Sequence, residues 1–193
     1  MPRKPRNIAE GRIYHVCNRA TESRLLFQTR SDYLCWIKTL LEALEKYPLK
    51  IYAFCLMPNH WHLLASGRDR KTFIRGMQWL GATHAIRWRL NHDSVGKGAV
   101  YQSRYRSHWV KPNQVFWIVT RYIERNPVRA NLVDSCEKWE WSSLGQKNGH
   151  RVPLKDPPWP RPQNWNQLLE AGGSELEEKM VRESLLRGKP LEI

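Results

Sequence analysis

The sequence predicts an α+β fold of the ferredoxin-like type, a βαββαβ antiparallel sheet with helices on one face plus an extra C-terminal helix. Three observations predict it. Apolar residues recur at helical spacing near 31–47 and 70–91, and strand-like segments flank both stretches. Two of those segments meet at the short Pro58-Asn59 turn, which marks a hairpin. The resulting order is that of the split βαβ unit, and no internal repeat is visible.

The elements follow in order. Residues 1–10 read as a flexible basic arm, and "RIYHVCNR" (12–19) has the β-branched and aromatic mix of a strand. Ser31 is the expected N-cap of a helix reaching Tyr47, with Tyr33, Ile37, Leu40, Leu41 and Leu44 on one face and Pro48 as its stop. "LKIYAFCLM" (49–57) and "HWHLLAS" (60–66) are the hairpin strands. A second helix over 70–91 places Phe73, Met77, Leu80, Gly81, His84 and Trp88 on one face, which makes His84 a core residue. His92, beside the loop "HDSVGKG" (92–98), has no evident role. "AVYQSRYRSHWV" (99–110) reads as the fourth strand, and Pro112-Asn113 opens a third helix to Asn126. From Gly145 the chain turns Pro-rich ("RVPLKDPPWPRPQ") before a short amphipathic helix near 174–187. The expected division is 1–144 as one domain and 145–193 as a loosely docked tail.

Charge bounds the partner. The net charge is +14, and it is segregated. Residues 68–129 carry thirteen Lys/Arg against three acids and residues 1–30 seven against two, whereas residues 130–193 carry nine against ten. Such blocks suit a polyanion, most often nucleic acid. Cys17, Cys35, Cys55 and Cys136 have no metal-type spacing and read as reduced thiols. With neither a signal-peptide pattern nor an apolar run of about 18 residues, the expected location is cytoplasmic and nucleoid-associated.

"MPNHWHLL" (57–64) carries the chemistry. On a strand His60 and His62 share one face and Trp61 takes the other. Two neutral imidazoles side by side can hold a divalent cation, or they can be half-buried strand histidines. At about 100° per residue, Val115, Ile118, Val119, Tyr122, Ile123 and Asn126 of the third helix fall on one side, with Arg121, Glu124 and Arg125 outside it. Tyr122 and Asn126 thus stand one turn apart, as a hydroxyl nucleophile and an amide ligand, or as an edge-of-core tyrosine and a cap before Pro127. Polyanion contacts are expected from Arg3, Lys4 and Arg6 of the arm and from Arg12 and Arg19 of the first strand. Arg104 and Arg106 alternate with Tyr105, and Arg121, Arg125 and Arg129 form an outer stripe at four-residue spacing.

The ordered set "YHVCNRA", "MPNHWHLL", "YQSRYRS", "YIERNPVRANLV" and "WSS" resembles the REP-associated tyrosine transposases, part of the HUH single-tyrosine superfamily. The resemblance runs from about Arg12 to Ser143. It implies a metal-dependent endonuclease and strand-transferase acting on single-stranded DNA beside hairpins of palindromic repeats. Tyr122 would be the nucleophile forming a 5′-phosphotyrosine, and His60, His62 and Asn126 would hold Mg²⁺ or Mn²⁺. A tyrosine with an ordinary pKa of about 10 needs help to ionise, and the metal with Arg121 or Arg125 would supply it. No general base stands out, and His15 and His108 are weak candidates. The protein would act as a monomer or homodimer. The competing readings are a non-catalytic nucleic-acid-binding module on the same sheet, and a zinc hydrolase, which lacks a third His or carboxylate near the pair.

Overall fold

The computed structural model describes residues 8–147 and 150–191; Arg3, Lys4 and Arg6 of the expected arm lie outside them. Four strands, β1 (Ile13–Arg19), β2 (Leu49–Met57), β3 (His60–Gly67) and β4 (Arg106–Val110), pair antiparallel in the order β2-β3-β1-β4. Helix α1 (Arg30–Lys46) joins β1 to β2, and α2 (Arg70–Asn91) joins β3 to β4. This is the ferredoxin-like order read from the sequence.

The two faces of the sheet have different jobs because successive strand residues point to opposite sides. Tyr14, Val16, Phe54, Leu56, Trp61, Leu63 and Ala65 pack with α1 and α2 in the main core. Trp61 is fully buried there, tilted against Trp36 at 5.4 Å. The other face presents Ile13, Ala53, Cys55, Leu64 and Val110 to α3 (Gln114–Glu124), the extra helix. A bulge at Tyr52 in β2 keeps both faces apolar. It puts one extra residue between Ile51 and Ala53, so Ile51 stays in the main core while Ala53 turns to α3.

Three boundaries differ from the sequence reading. Helix α1 is capped by Thr29, whose side chain accepts from the Asp32 backbone N–H while Asp32 accepts from the Thr29 backbone. Ser31 therefore lies inside the helix; the reciprocal bond two residues upstream wins. The fourth strand is shorter than 99–110, because Tyr101 leaves the sheet and enters the core, where its hydroxyl meets Trp61 Nε1 at 3.0 Å and His84 Nδ1 at 2.7 Å. The third helix breaks after Glu124 and resumes as α4 (Asn126–Arg129), since Pro127 has no N–H for the Ile123 carbonyl.

The tail packs against the rest of the chain, and its second helix matches the one expected near 174–187. It forms α5 (Trp165–Ala171), too short to show a period in the sequence, and α6 (Glu175–Arg187), opened by a Ser174–Glu177 capping box. Helix α6 packs on β4, β1 and α3 and buries Val181 and Leu185. Each such side chain contributes about 1.5–3 kcal/mol. Ion pairs Arg121–Glu177 at 2.9 Å and Arg129–Glu178 at 3.4 Å add less, about 1 kcal/mol or below each, because their acids stay partly exposed.

Gly67 ends β3 against α2, and a Cβ there would sit 2.8 Å from Phe73 Cβ and 2.9 Å from its backbone nitrogen. Gly67→Ala is expected to destabilise the protein by roughly 1–3 kcal/mol, read as a lower urea midpoint. Gly81→Ala meets nothing within 4 Å. It is expected to be neutral or to stabilise by up to about 1 kcal/mol.

Candidate active site

The site begins with the phase of β3. His60 and His62 leave the strand on the α3 side, their rings 4.9 Å apart and nearly perpendicular. His60 Nδ1 lies 2.7 Å from Asn59 Oδ1. An amide oxygen only accepts, so Nδ1 carries the proton and Nε2 keeps its lone pair. Burial, with Arg19 and Arg129 nearby, pushes the His60 pKa down to about 4, so the ring is neutral.

His62 is 2% exposed and continues into a row of imidazoles across the sheet. Its Nδ1 lies 2.8 Å from His15 Nε2, and His15 Nδ1 lies 3.0 Å from His108 Nε2. The register produces this: His15 faces His108 directly across β1–β4, and His62 faces Cys17, two residues from His15. Burial holds His15 and His62 well below the ordinary imidazole range and pushes His108 down to about 4. His62 Nε2 is buried without a hydrogen-bond partner.

Tyr122 stands beside this row within the same chain. Its ring is perpendicular to His62 with centroids 5.7 Å apart, and it lies 5.9 Å from His15. The Arg129 guanidinium sits 4.4 Å over the Tyr122 ring. Burial raises the Tyr122 pKa, and Arg129 opposes that rise. The cation beside the phenol is therefore Arg129, and the expected Arg121 or Arg125 is engaged elsewhere. Asn126 is 2% exposed: its Oδ1 accepts from Arg129 at 2.6 Å and its Nδ2 donates to the Tyr122 carbonyl at 3.0 Å.

A cavity of about 330 Å³ opens over these groups. Its floor is His60, His62, Cys17 and Tyr122, and its rim includes Arg19, Arg106 and, from α6, Arg182. Asn126 is not part of its wall. The other basic candidates divide. Arg104 is exposed, and Arg12 stacks over Trp109 at 3.9 Å. The outer stripe expected on the tyrosine helix is corrected, because the tail covers it. Arg121 pairs with Glu177, Arg125 donates to the Leu169 and Glu170 carbonyls, and Arg129 turns back over Tyr122.

Sequence reasoning missed several participants. Helical phase put Glu124 outside the buried face, yet it is 2% exposed. Burial pushes its carboxyl up to about 7, and Ser143 donates to it at 3.0 Å. The "WSS" segment lies along the β2 edge and closes over that side of the helix, as the Ser143 N–H to Phe54 carbonyl bond records. His108, set aside as a base, and Ser184 in the tail join the imidazole row, with Ser184 Oγ 3.0 Å from His108 Nδ1. The strand phase of "YHVC" and "SHWV" hinted at His15 and His108, whereas nothing local hinted at Ser184. His84 is a core residue as expected, and His92 pairs with Asp32 at 2.7 Å.

A divalent cation fits this donor set in part. His60 offers a lone pair at Nε2, and His62 Nε2 is a buried atom without a hydrogen-bond partner. The Asn126 oxygen is engaged by Arg129 and would have to release it. Among the described residues no group of three or more His, Cys, Asp or Glu is placed to hold a metal ion. No helix among the described residues is long and apolar enough to cross a membrane.

The chain is similar to known transposases. Residues 10–126 match the family model of the IS200-like transposases, a span that contains both β3 histidines and ends on Asn126. The fold aligns with a REP-associated tyrosine transposase solved bound to a REP hairpin, at TM-score 0.63 and 16% identity, covering 82% of this chain and 96% of that one. A Deinococcus radiodurans R1 structure assigned to the transposases aligns at TM-score 0.45 and 15% identity, over 68% of this chain and 92% of that one. No curated protein sequence matches the chain.

Buried neutral histidines make stability acid-sensitive. His84 and His108 are pushed down to about 3 and about 4 from an ordinary value near 6.5. The unfolded chain takes up those protons first, so stability is lost as pH falls from about 6.5 toward 4. Each such group is expected to remove about 1.4 kcal/mol per pH unit inside that window. Urea midpoints measured at half-unit steps in cation-free buffer check this, and a flat midpoint from pH 6.5 to 4.5 would contradict it.

Proposed function

The chain belongs to the IS200-like transposase family, and from that premise we propose that it is a single-tyrosine DNA nuclease and strand-transferase. Its substrate is single-stranded DNA beside a hairpin of the repetitive palindromic type, and it falls with the REP-associated members of the family. The observation that carries the reading is Tyr122 standing perpendicular to His62, under Arg129, at a cavity rimmed by Arg19, Arg106 and Arg182. The relative solved with a REP hairpin supports the substrate class.

Tyr122 Oη attacks the scissile phosphorus in line. A phosphotyrosine bond forms to the 5′ side and the bond to the 3′ oxygen breaks. The phenol proton leaves through the open cavity, and the 3′ oxygen departs as a free hydroxyl. The phosphodiester energy is kept in the protein–DNA bond, so another 3′-OH can reverse the step without a nucleotide cofactor. His60, His62 and Asn126 would hold Mg²⁺ or Mn²⁺, which when bound supplies positive charge to the non-bridging phosphate oxygens. Arg129 stabilises the phenolate against the burial that opposes it. Arg19, Arg104 and Arg106 receive the phosphate backbone, joined by Arg12 and by the arm residues Arg3, Lys4 and Arg6. In this reading residues 1–144 form the catalytic unit and residues 145–193 close it, in a monomer or homodimer at the nucleoid.

Incubation with a labelled single-stranded hairpin and Mn²⁺ is expected to give a covalent adduct that resists denaturing gel electrophoresis. Tyr122→Phe is expected to abolish the adduct with hairpin affinity changed less than about threefold, and EDTA to abolish it in the parent protein. An adduct in the Tyr122→Phe protein would overturn the nucleophile assignment.

Arg129 lowers the Tyr122 pKa, so its loss must raise it further. Arg129→Gln is expected to move the alkaline limb of the pH–rate profile upward and to slow adduct formation near pH 7.5 by about tenfold for each unit moved. A lower rate with an unmoved limb would instead make Arg129 a phosphate contact.

A further inference from the structure

The imidazole row ends on the tail. His108 Nδ1 lies 3.0 Å from Ser184 Oγ, and the Ser184 hydroxyl donates to the Lys189 carbonyl just past the end of α6. The turn that brings Lys189 back is fixed by Gly188, which adopts a left-handed conformation at φ 64°, and by the Lys189 N–H to Ser184 carbonyl bond. His15, His62 and His108 are at most 2% exposed and Ser184 is 7% exposed, so no bulk water is at hand to re-satisfy these atoms.

A neutral imidazole has one N–H and one lone pair, and each nitrogen–nitrogen hydrogen bond needs one of each. The direction of the whole row is therefore decided at its end. A carbonyl can only accept, so the Ser184 proton is committed to Lys189. Ser184 Oγ then meets His108 with a lone pair, and His108 must carry its proton on Nδ1. Its Nε2 accepts from His15 Nδ1–H, and His15 Nε2 accepts from His62 Nδ1–H. His62 is left with a bare lone pair on Nε2, the buried atom that has no partner. The reverse direction would break the Ser184 bond to the Lys189 carbonyl and place a proton on His62 Nε2, closing it to any cation.

We propose that Ser184 is a positioning residue that sets the tautomer of His62 through His108 and His15, so that the His62 Nε2 lone pair faces the cavity for a divalent cation. The proposal rests on the reading of His62 as a cation ligand. Ser184 thereby acts on the site without touching the cation. Asn59 does the same locally for His60, so both β3 histidines present the same nitrogen.

The test uses the full chain, metal-free, with ¹⁵N-labelled histidine. Long-range ¹H–¹⁵N correlation spectra report which ring nitrogen of each histidine is protonated. The expected result is Nδ1–H at His62, His15 and His108. A proton on His62 Nε2 overturns the proposal, and because no metal is present this arm does not depend on the cation reading. Ser184→Ala is expected to give mixed tautomers at His62 and to weaken Mn²⁺ binding, followed by EPR, about 10- to 100-fold. Ser184→Thr is expected to restore both. Unchanged His62 tautomer and Mn²⁺ affinity in Ser184→Ala overturns the proposal, and if that variant does not fold, the parent spectrum and Ser184→Thr decide. Mn²⁺ affinity unchanged in His62→Ala overturns the cation reading separately.

Discussion

Along β3 the side chains leave the sheet alternately, and the β1–β3 register pins that alternation in place. Cys17 lies opposite His62 and Arg19 opposite His60. A slip of one residue would send Trp61 toward Tyr122 and both histidines into the space filled by Trp36 and Leu63. Such a slip is prohibitive: it exchanges fully buried apolar groups for buried polar ones, and each unpaired polar group costs about 1–3 kcal/mol. The main core therefore holds the site in register from behind. The bulge at Tyr52 serves the same end, because it lets β2 fill both faces while its partner strand keeps a strict alternation.

The site face has a harder task, since it buries three imidazoles, a phenol, an amide and a carboxyl. Burial alone would make it a weak point. The polar groups mostly satisfy one another: the row runs from His62 to Ser184, Arg129 bonds Asn126, Asn126 donates to the Tyr122 carbonyl, and Ser143 bonds Glu124. What remains without a partner is informative. His62 Nε2 and Glu124 Oε2 are both buried and unbonded, and the ring of the first lies 5.7 Å from that of Tyr122.

Much of the fold was legible because it is written in local periods. Helix α2 and the hairpin strands follow from spacing and the Pro58-Asn59 turn, and the inward phase of Tyr122 and Asn126 follows from 115, 118, 119 and 123 being apolar. The pairing of β3 histidines with a distant tyrosine needed the ordered motifs as well. What was not legible depended on contacts with no local period. Glu124 looked like a surface acid because the helix was read as having one buried face; the "WSS" segment gives it a second. Arg121, Arg125 and Arg129 looked like a solvated stripe because the tail that covers them is Pro-rich and carries little apolar signal. His15 and His108 look unremarkable until β1 is placed between β3 and β4.

The tail explains why the charge along the chain is segregated. Its near-neutral balance hides an acidic first turn in α6, where Glu175, Glu177 and Glu178 sit at the positive end of the helix dipole. Glu177 and Glu178 reach Arg121 and Arg129 and neutralise part of the tyrosine helix. The basic groups left at the cavity rim are Arg19 and Arg106 from the sheet, beside Arg182 of α6, which pairs with Glu178 at 3.4 Å. A long polyanion entering that rim meets positive potential on the strand side and compensated charge on the helix side. The tail thus narrows a diffuse basic surface to one approach, and the same helix, through Ser184, touches the end of the imidazole row. Because α6 is held chiefly by the apolar burial of Val181 and Leu185, and only weakly by its ion pairs, raising the salt concentration screens the charge of the rim more than it loosens the helix beside it.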